Sequence, residues 1–319
     1  MRVVPGSAGP RLRDVEGARV CDDEHRFYGQ EGSAARVSRG RLAGVSTPIE
    51  TVPLMREVNA ALLHLLESLD ADDWKKPTVH PRRDVKDLVA HLLDGSLKRL
   101  SIQRDGHFLD APEIRSFEDT VAFIQRLNTE WMVAAKRFSP RLLIEWLHRT
   151  DQEVVELFAR IDPHTPAPFG VAWAGEEWSP SWFDIAREYT EKWHHQQQIR
   201  DAVGRPGLME RRYLNPVLET FLRGAPHAYR SAAAPDGTCV RITITGEAGG
   251  TWFLFRQGES WELRDSAEGR AAAAVTIDAD TAWRLWTKGI DRQTARARAV
   301  LEGDEGLCAP LFEMVTIMA

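Results

Sequence analysis

The hydrophobic pattern changes period near residue 207, and that change limits the architectures open to the chain. Before it, apolar residues recur at helical spacing; Leu54, Met55, Val58, Leu62, Leu65, Leu66 and Leu69 mark one such stripe. After it, Val240–Thr245, Thr251–Arg256 and Trp261–Arg264 alternate with period two, and the GEAGG and QGES between them read as hairpin turns. A length of 319 residues is enough for two domains. The pattern predicts an antiparallel helical bundle over residues 47–207 and a small α+β domain over 208–319. Residues 1–46 show neither period, offer little apolar surface to offset the entropy of ordering, and are expected to be a disordered extension.

Within the bundle, helices are expected over Glu50–Leu69, after an Asp84 N-cap, over about Ser116–Phe138, over about Arg141–Ile161, and from a Ser179 or Ser181 cap to Val203. Gly204 and Pro206 stop the last one. A further helix, Glu210–Leu222, precedes the strands. Ala272–Ile277 resembles a fourth strand, and Thr281–Thr287 and Glu305–Thr316 return to helix.

Composition removes several function classes. With 41 Lys+Arg against 47 Asp+Glu the formal charge is -6, which argues against a general nucleic-acid binder. No apolar run approaches the roughly 18 residues of a membrane span, and the N-terminus lacks the apolar segment of a secretory signal. Cys21, Cys239 and Cys308 are far apart and odd in number, so a disulfide framework or cysteine zinc site is not expected and a cytoplasmic location fits. Eleven tryptophans are many for this length. Trp182 and Trp193 are assigned to packing; Trp74, Trp173 and Trp178 fall in loops able to border a pocket.

Residues able to do chemistry concentrate in two places, His91 in DLVAHLLD and the run EYTEKWHHQQQIRD. At about 100° per residue, Trp182, Ala186, Tyr189 and Trp193 form one face of the long helix, and Asp184, Glu188, Glu191, His195 and Gln198 the opposite one. Glu191 and His195, four apart, stack on the same side, where a carboxylate and an imidazole can converge on one ion. The spacing equally suits a polar face turned to water, the commoner case for a generic helix. His91 lies off its helix's apolar stripe, as a surface histidine would, unless it has a partner on another helix. Two His and one Glu from two helices would leave coordination positions open.

The lead-in DADDWKKPTVHPRRDVKDLVAHLLD and the later EYTEKWHHQQQIRDAVGRPG resemble the DinB/YfiT-like metal-binding bundle superfamily, in particular its mycothiol-dependent maleylpyruvate isomerase branch. The likeness covers roughly residues 50–207. The segment from about 210 to Met318 is similar to the sterol carrier protein-like domain that often follows this bundle. The resemblance implies metal ligands at His91, Glu191 and His195. Beside them on the same helix, His194, Glu188 and Gln198 are candidates to orient the ligands or move protons. His194 equally reads as a packing or surface histidine. RRD stands where many relatives carry a second tryptophan, and HHQQQI is closer to the wider superfamily's pattern.

These readings lead to an enzyme that uses a zinc-type divalent metal to activate a low-molecular-weight thiol such as mycothiol for transfer to, or isomerisation of, a small electrophilic substrate. The thiol would come from a small molecule, since no cysteine lies near the motif. The arginines of Pro81–Arg83 read as solvated, with a carboxylate-binding role as the alternative. A different class is a non-catalytic protein whose C-terminal domain holds a small apolar ligand and whose metal is structural or vestigial; metal-assisted hydrolysis is a third. Substrate and thiol are the expected partners, nucleic acid and membrane are not, and the oligomeric state stays open. Ring nitrogens of His91 and His195 that share an ion should converge to about 4 Å.

Overall fold

The computed structural model describes residues 47–107, 117–267 and 269–317. The extension expected over residues 1–46, with Cys21, lies outside them.

The first half is helical: α1 (Val52–Glu67), α2 (Val85–Arg99), α3 (Phe117–Ala135), α4 (Pro140–Phe158) and α5 (Ser181–Val203). Asp84 caps α2 as expected, its side chain accepting from the Asp87 N–H at 2.8 Å while the Asp87 carboxylate reaches back to the Asp84 N–H. Past Arg99 the helix widens into a π turn, Leu100–Arg104. α5 stops at Gly204, whose φ of 69° supplies the left-handed residue that ends a helix. Neither serine caps its start. Pro180 takes the N-cap position, the Ser179 hydroxyl accepts from the Val171 N–H at 3.0 Å, and the Ser181 hydroxyl donates to the Thr165 carbonyl at 3.0 Å. The preceding loop outcompetes the helix for both hydroxyls.

The second half opens with α6 (Arg211–Leu222) and a single turn, α7 (Ala225–Ala228), then β1 (Cys239–Thr245), β2 (Gly250–Gln257), β3 (Ser260–Arg264) and β4 (Ala273–Asp278). α8 (Ala279–Trp286), α9 (Arg292–Arg298), β5 (Val300–Gly303) and α10 (Glu305–Glu313) complete it. Strand order is β3-β2-β1-β4-β5, with β1 and β4 parallel and the other pairs antiparallel. Val240, Ile242, Leu254, Leu263, Val275 and Ile277 point to the buried face, against helices including α8 and α10. β5 escapes the period-two pattern because it is a short edge strand with Val300 60% exposed. α10 ends before the expected Thr316, whose N–H and hydroxyl both donate to the Trp286 carbonyl and pull the chain out of the helix.

One apolar core runs across residue 207. It joins Val58, Phe158, Phe183, Tyr189 and Trp193 of the bundle to Leu218, Phe221, Val240, Trp283 and Trp286 beyond it. A second core, confined to the bundle, contains Leu62, Leu88, Leu92, Leu143, Leu147 and Ile199. Trp182 and Trp193 are core residues, in line with the packing role. Trp74 and Trp173 are core residues as well, the latter packed edge-on to Phe183 and Phe221, while Trp178 is exposed.

α5 is therefore wedged on both sides. Its aromatic face meets α6 and α8, with Trp193 edge-on to Trp283 at 5.2 Å, and its charged side chains meet Arg99 of α2 and Asp151 of α4. The alternative of a polar face turned to water does not hold: Asp184, Glu188, His195 and Gln198 are buried and Glu191 is half-buried. Among the described residues, no helix is long and apolar enough to cross a membrane.

Candidate metal centre

The structure brings His91 of α2 and Glu191 and His195 of α5 together, with one ligand-type atom from each lying within 4.8 Å of the others. Two atoms bound ~2.1 Å from one ion lie ~3–4 Å apart, so a small rotation of side chains closes the set. His91 and Glu191 are half-buried and His195 is buried. The His91 ring meets His195 edge-on at 4.8 Å, and His194 lies tilted on His195 at 3.9 Å.

Hydrogen bonding fixes what each ring presents. His195 Nδ1 lies 2.8 Å from Gln198 Oε1; the amide oxygen only accepts, so Nδ1 carries the proton. In the neutral ring Nε2 then has a bare lone pair, 3.3 Å from Glu191 Oε2. Two electron-pair donors face each other, an arrangement that a cation between them relieves. His91 Nδ1 is buried without a hydrogen-bond partner. These two features, with a donor set of imidazole and carboxylate only, fit a borderline-soft divalent cation of the zinc type. His194 instead donates from Nδ1 to the Thr190 carbonyl at 3.1 Å.

The electrostatics keep the donors in ligand form. Burial pushes the His91 imidazole well below its usual range, assisted by His195. Burial also pushes His194 down to about 3, with the neighbouring His195 acting the same way. Burial alone would raise the Glu191 carboxyl, but the His195 and His194 imidazoles beside it outweigh that and hold it low.

Glu188 is drawn elsewhere. Arg99, at the end of α2, binds Asp184 through both terminal nitrogens at 2.6 and 2.7 Å and Glu188 Oε2 through Nε at 3.0 Å. Arg187 adds contacts to Asp184 at 2.9 Å and Glu188 at 3.2 Å. One turn further on, Lys192 Nζ donates to Asp151 Oδ1 at 2.5 Å and to Ser96 Oγ at 2.6 Å, and Ser96 donates to the same carboxylate oxygen at 2.7 Å. Arg99 and Lys192 were not among the residues singled out from the sequence. Their signal was the number of charges on one helix face, which only a neighbouring charged face can satisfy when buried.

Residues 55–200 match the family model described as the mycothiol maleylpyruvate isomerase N-terminal domain. This stretch of the chain is similar to that domain family. Among solved structures, the chain is similar to a mutant of the mycothiol-dependent maleylpyruvate isomerase, at 10% identity and a TM-score of 0.48, covering 80% of this chain and 93% of that one. A second structure of the same isomerase gives 12% identity and a TM-score of 0.46 over 75% and 88% of the two chains. A UbiJ-SCP2 ubiquinone synthesis protein gives 19% identity and a TM-score of 0.24, covering 34% of this chain and 95% of that one. No curated protein matches the chain. Within the isomerase N-terminal domain stretch, α2 and α5 supply all three members of the His/Glu cluster.

Proposed function

We propose that the bundle holds one zinc-type divalent cation through His91, Glu191 and His195 and is a metal-dependent enzyme acting with a low-molecular-weight thiol on a small electrophilic substrate. The observation that carries this reading is the opposition of the His195 Nε2 lone pair and the Glu191 carboxylate at 3.3 Å, with His91 completing the cluster. When bound, such a cation supplies Lewis acidity and favours the thiolate form of a thiol brought to an open position. The chain's own residues do the rest. Gln198 fixes the His195 tautomer, and burial keeps His91 unprotonated. Similarity of residues 55–200 to a family described by mycothiol and maleylpyruvate isomerase supports a thiol of the mycothiol class and transfer or isomerisation as the reaction type. Both described cysteines, Cys239 and Cys308, are buried in the C-terminal half, which supports a borrowed thiol.

The test is metal analysis coupled to thiol-dependent turnover. The purified chain should carry about one zinc, and His195→Ala should lose metal and turnover together while keeping its fold. Metal bound with no reactivity toward a panel of low-molecular-weight thiols would sink the enzymatic reading; a folded chain that takes up no metal would sink both parts.

A further inference from the structure

Gly95 stands in the interior of α2, where glycine weakens a helix relative to alanine. Packing does not call for it. A β-carbon added at Gly95 would meet Glu188 Oε1 at 3.7 Å, an ordinary contact, and among the described residues no other atom outside its own stretch of helix comes within 4 Å. The residue is half-buried, so it fronts open space beside α5.

That space lies one helical turn from the candidate metal centre. α2 and α5 run antiparallel here: His91 meets His195, Ser96 meets Lys192, and Arg99 meets Glu188 and Asp184. Gly95 follows His91 by four residues and Glu188 precedes Glu191 by three, so both are displaced in the same direction from the cluster, by about 4.5–6 Å along the helix axes.

Glu188 is only half engaged by the charge network. Its side chain is buried, at 6% exposure for the residue. Oε2 accepts from Arg99 Nε at 3.0 Å and from Arg187 Nη2 at 3.2 Å, whereas Oε1, the oxygen over Gly95, has no hydrogen-bond partner among the described residues. Unlike the unpartnered oxygen of Asp151, it is not sealed from solvent. An open lone pair on a buried carboxylate calls for a donor. Arg99 and Arg187 already balance the charges of Asp184 and Glu188, so the missing donor is a neutral N–H or O–H rather than a cation.

We propose that the space over Gly95 is a ligand subsite in which Glu188 Oε1 accepts a hydrogen bond from a neutral N–H or O–H of the thiol brought to the cluster. The subsite rests on the functional reading above for the thiol's presence and adds a substrate class to it. The class is thiols that carry such a donor on the second carbon from sulfur, a reach suited to the one-turn offset between Glu191 and Glu188.

The experiment compares N-acetylcysteamine with its N-methyl analogue, in which a methyl replaces the amide hydrogen, on the cobalt-loaded full chain. Sulfur-to-cobalt charge-transfer absorption reads binding without turnover. The wild type should prefer the N–H thiol ~10-fold, the size of one hydrogen bond to a charged acceptor. Glu188→Gln would disturb the Arg99 network, so Gly95→Ala is the deciding variant. Its methyl covers Oε1, and the preference should fall below about twofold while cobalt affinity holds and the unfolding midpoint does not drop. A merely structural glycine would lower the midpoint and leave the preference. Where cobalt–thiolate absorption does not develop, saturation-transfer NMR of the same pair on the metal-free chain decides in its place. Equal binding of the two thiols by the wild type, or a preference that survives Gly95→Ala, overturns the subsite. A Gly95-dependent preference in a chain that takes up no cobalt keeps the subsite and removes the metal reading; cobalt–thiolate absorption without preference does the reverse.

Discussion

At the scale of single residues, the cluster depends on atoms that never touch the ligand. Gln198 Oε1 holds the His195 proton on Nδ1 and so leaves Nε2 bare. Gln198→Leu keeps the bulk and removes the acceptor, and it is expected to lower zinc affinity ~10–100-fold, measured by competition with a chromophoric chelator. An unchanged affinity would mean that the ring is held by packing alone. The buried imidazoles also make the metal-free protein acid-labile. His194 is pushed down to about 3 and His91 moves in the same direction, while in the unfolded chain each titrates near its ordinary 6.5. Between those values the unfolded state binds more protons, so stability is intact above about pH 6.5 and falls with pH, by up to ~1.4 kcal/mol per pH unit for each ring. Urea unfolding of metal-free protein at pH 7 and pH 5 measures this, and His194→Gln should flatten the dependence. The four-residue spacing of Glu191 and His195 marked that pair in the sequence, whereas His91, which by spacing alone reads as a surface histidine, was singled out by the resemblance of its helix and lead-in to the metal-binding bundle superfamily.

At the scale of elements, α5 does not follow the usual division of a helix into a buried stripe and a wet one. The charges on its polar face are buried against α2 and α4, and they are compensated there. Burial alone would raise the Asp184 carboxyl, yet Arg99 and Arg187 keep it lowered. The solvated alternative for that face does not hold, for a physical reason. Helical spacing shows which residues share a face but not what covers it, and the covering charges, Arg99 and Asp151, lie 85 and 41 residues from their partners Asp184 and Lys192. Such a network adds little net stability, but removing one member strands the others. Arg99→Met leaves Asp184 and Glu188 with only the less buried Arg187, and is expected to cost ~3–5 kcal/mol in chemical denaturation. Arg149→Met, at a solvent-screened pair with Glu153, should leave the denaturation midpoint nearly unchanged. Comparable losses at the two sites would contradict the picture of a buried, interdependent set that holds α2 and α5 in register. That register is also what brings His91 to His195.

At the scale of the whole molecule, the change of hydrophobic period near residue 207 marks a change of architecture without a break in the core. The back of α5 is the floor on which the second half is built. Trp193 donates from Nε1 to the Leu208 carbonyl at 2.9 Å and packs edge-on to Trp283, the Tyr189 hydroxyl donates to the Tyr213 carbonyl at 2.9 Å, and Arg284 pairs with Asp201 at 2.5 Å. The tryptophans explain why the sequence left this hidden: their count pointed to a large core, but nothing in the spacing of Trp193 and Trp283 says that they meet. The same helix thus carries the candidate metal centre on one side and the interdomain core on the other. A helix held on both faces cannot loosen on one without disturbing the other, so the two halves are expected to unfold as one cooperative unit. Far-ultraviolet circular dichroism, which follows mainly the bundle, and near-ultraviolet tryptophan signals, which include the second half, should give coincident denaturation curves. Trp283→Ala, a change wholly within the second half, should destabilise that single transition by ~3–5 kcal/mol and shift both signals together. On the proposed function zinc binds the bundle alone, and it should then raise the midpoint of both signals equally, because a ligand that binds the folded state stabilises everything that unfolds with its site. Two separated transitions, or a zinc shift confined to the bundle signal, would show that the shared core does not couple the halves.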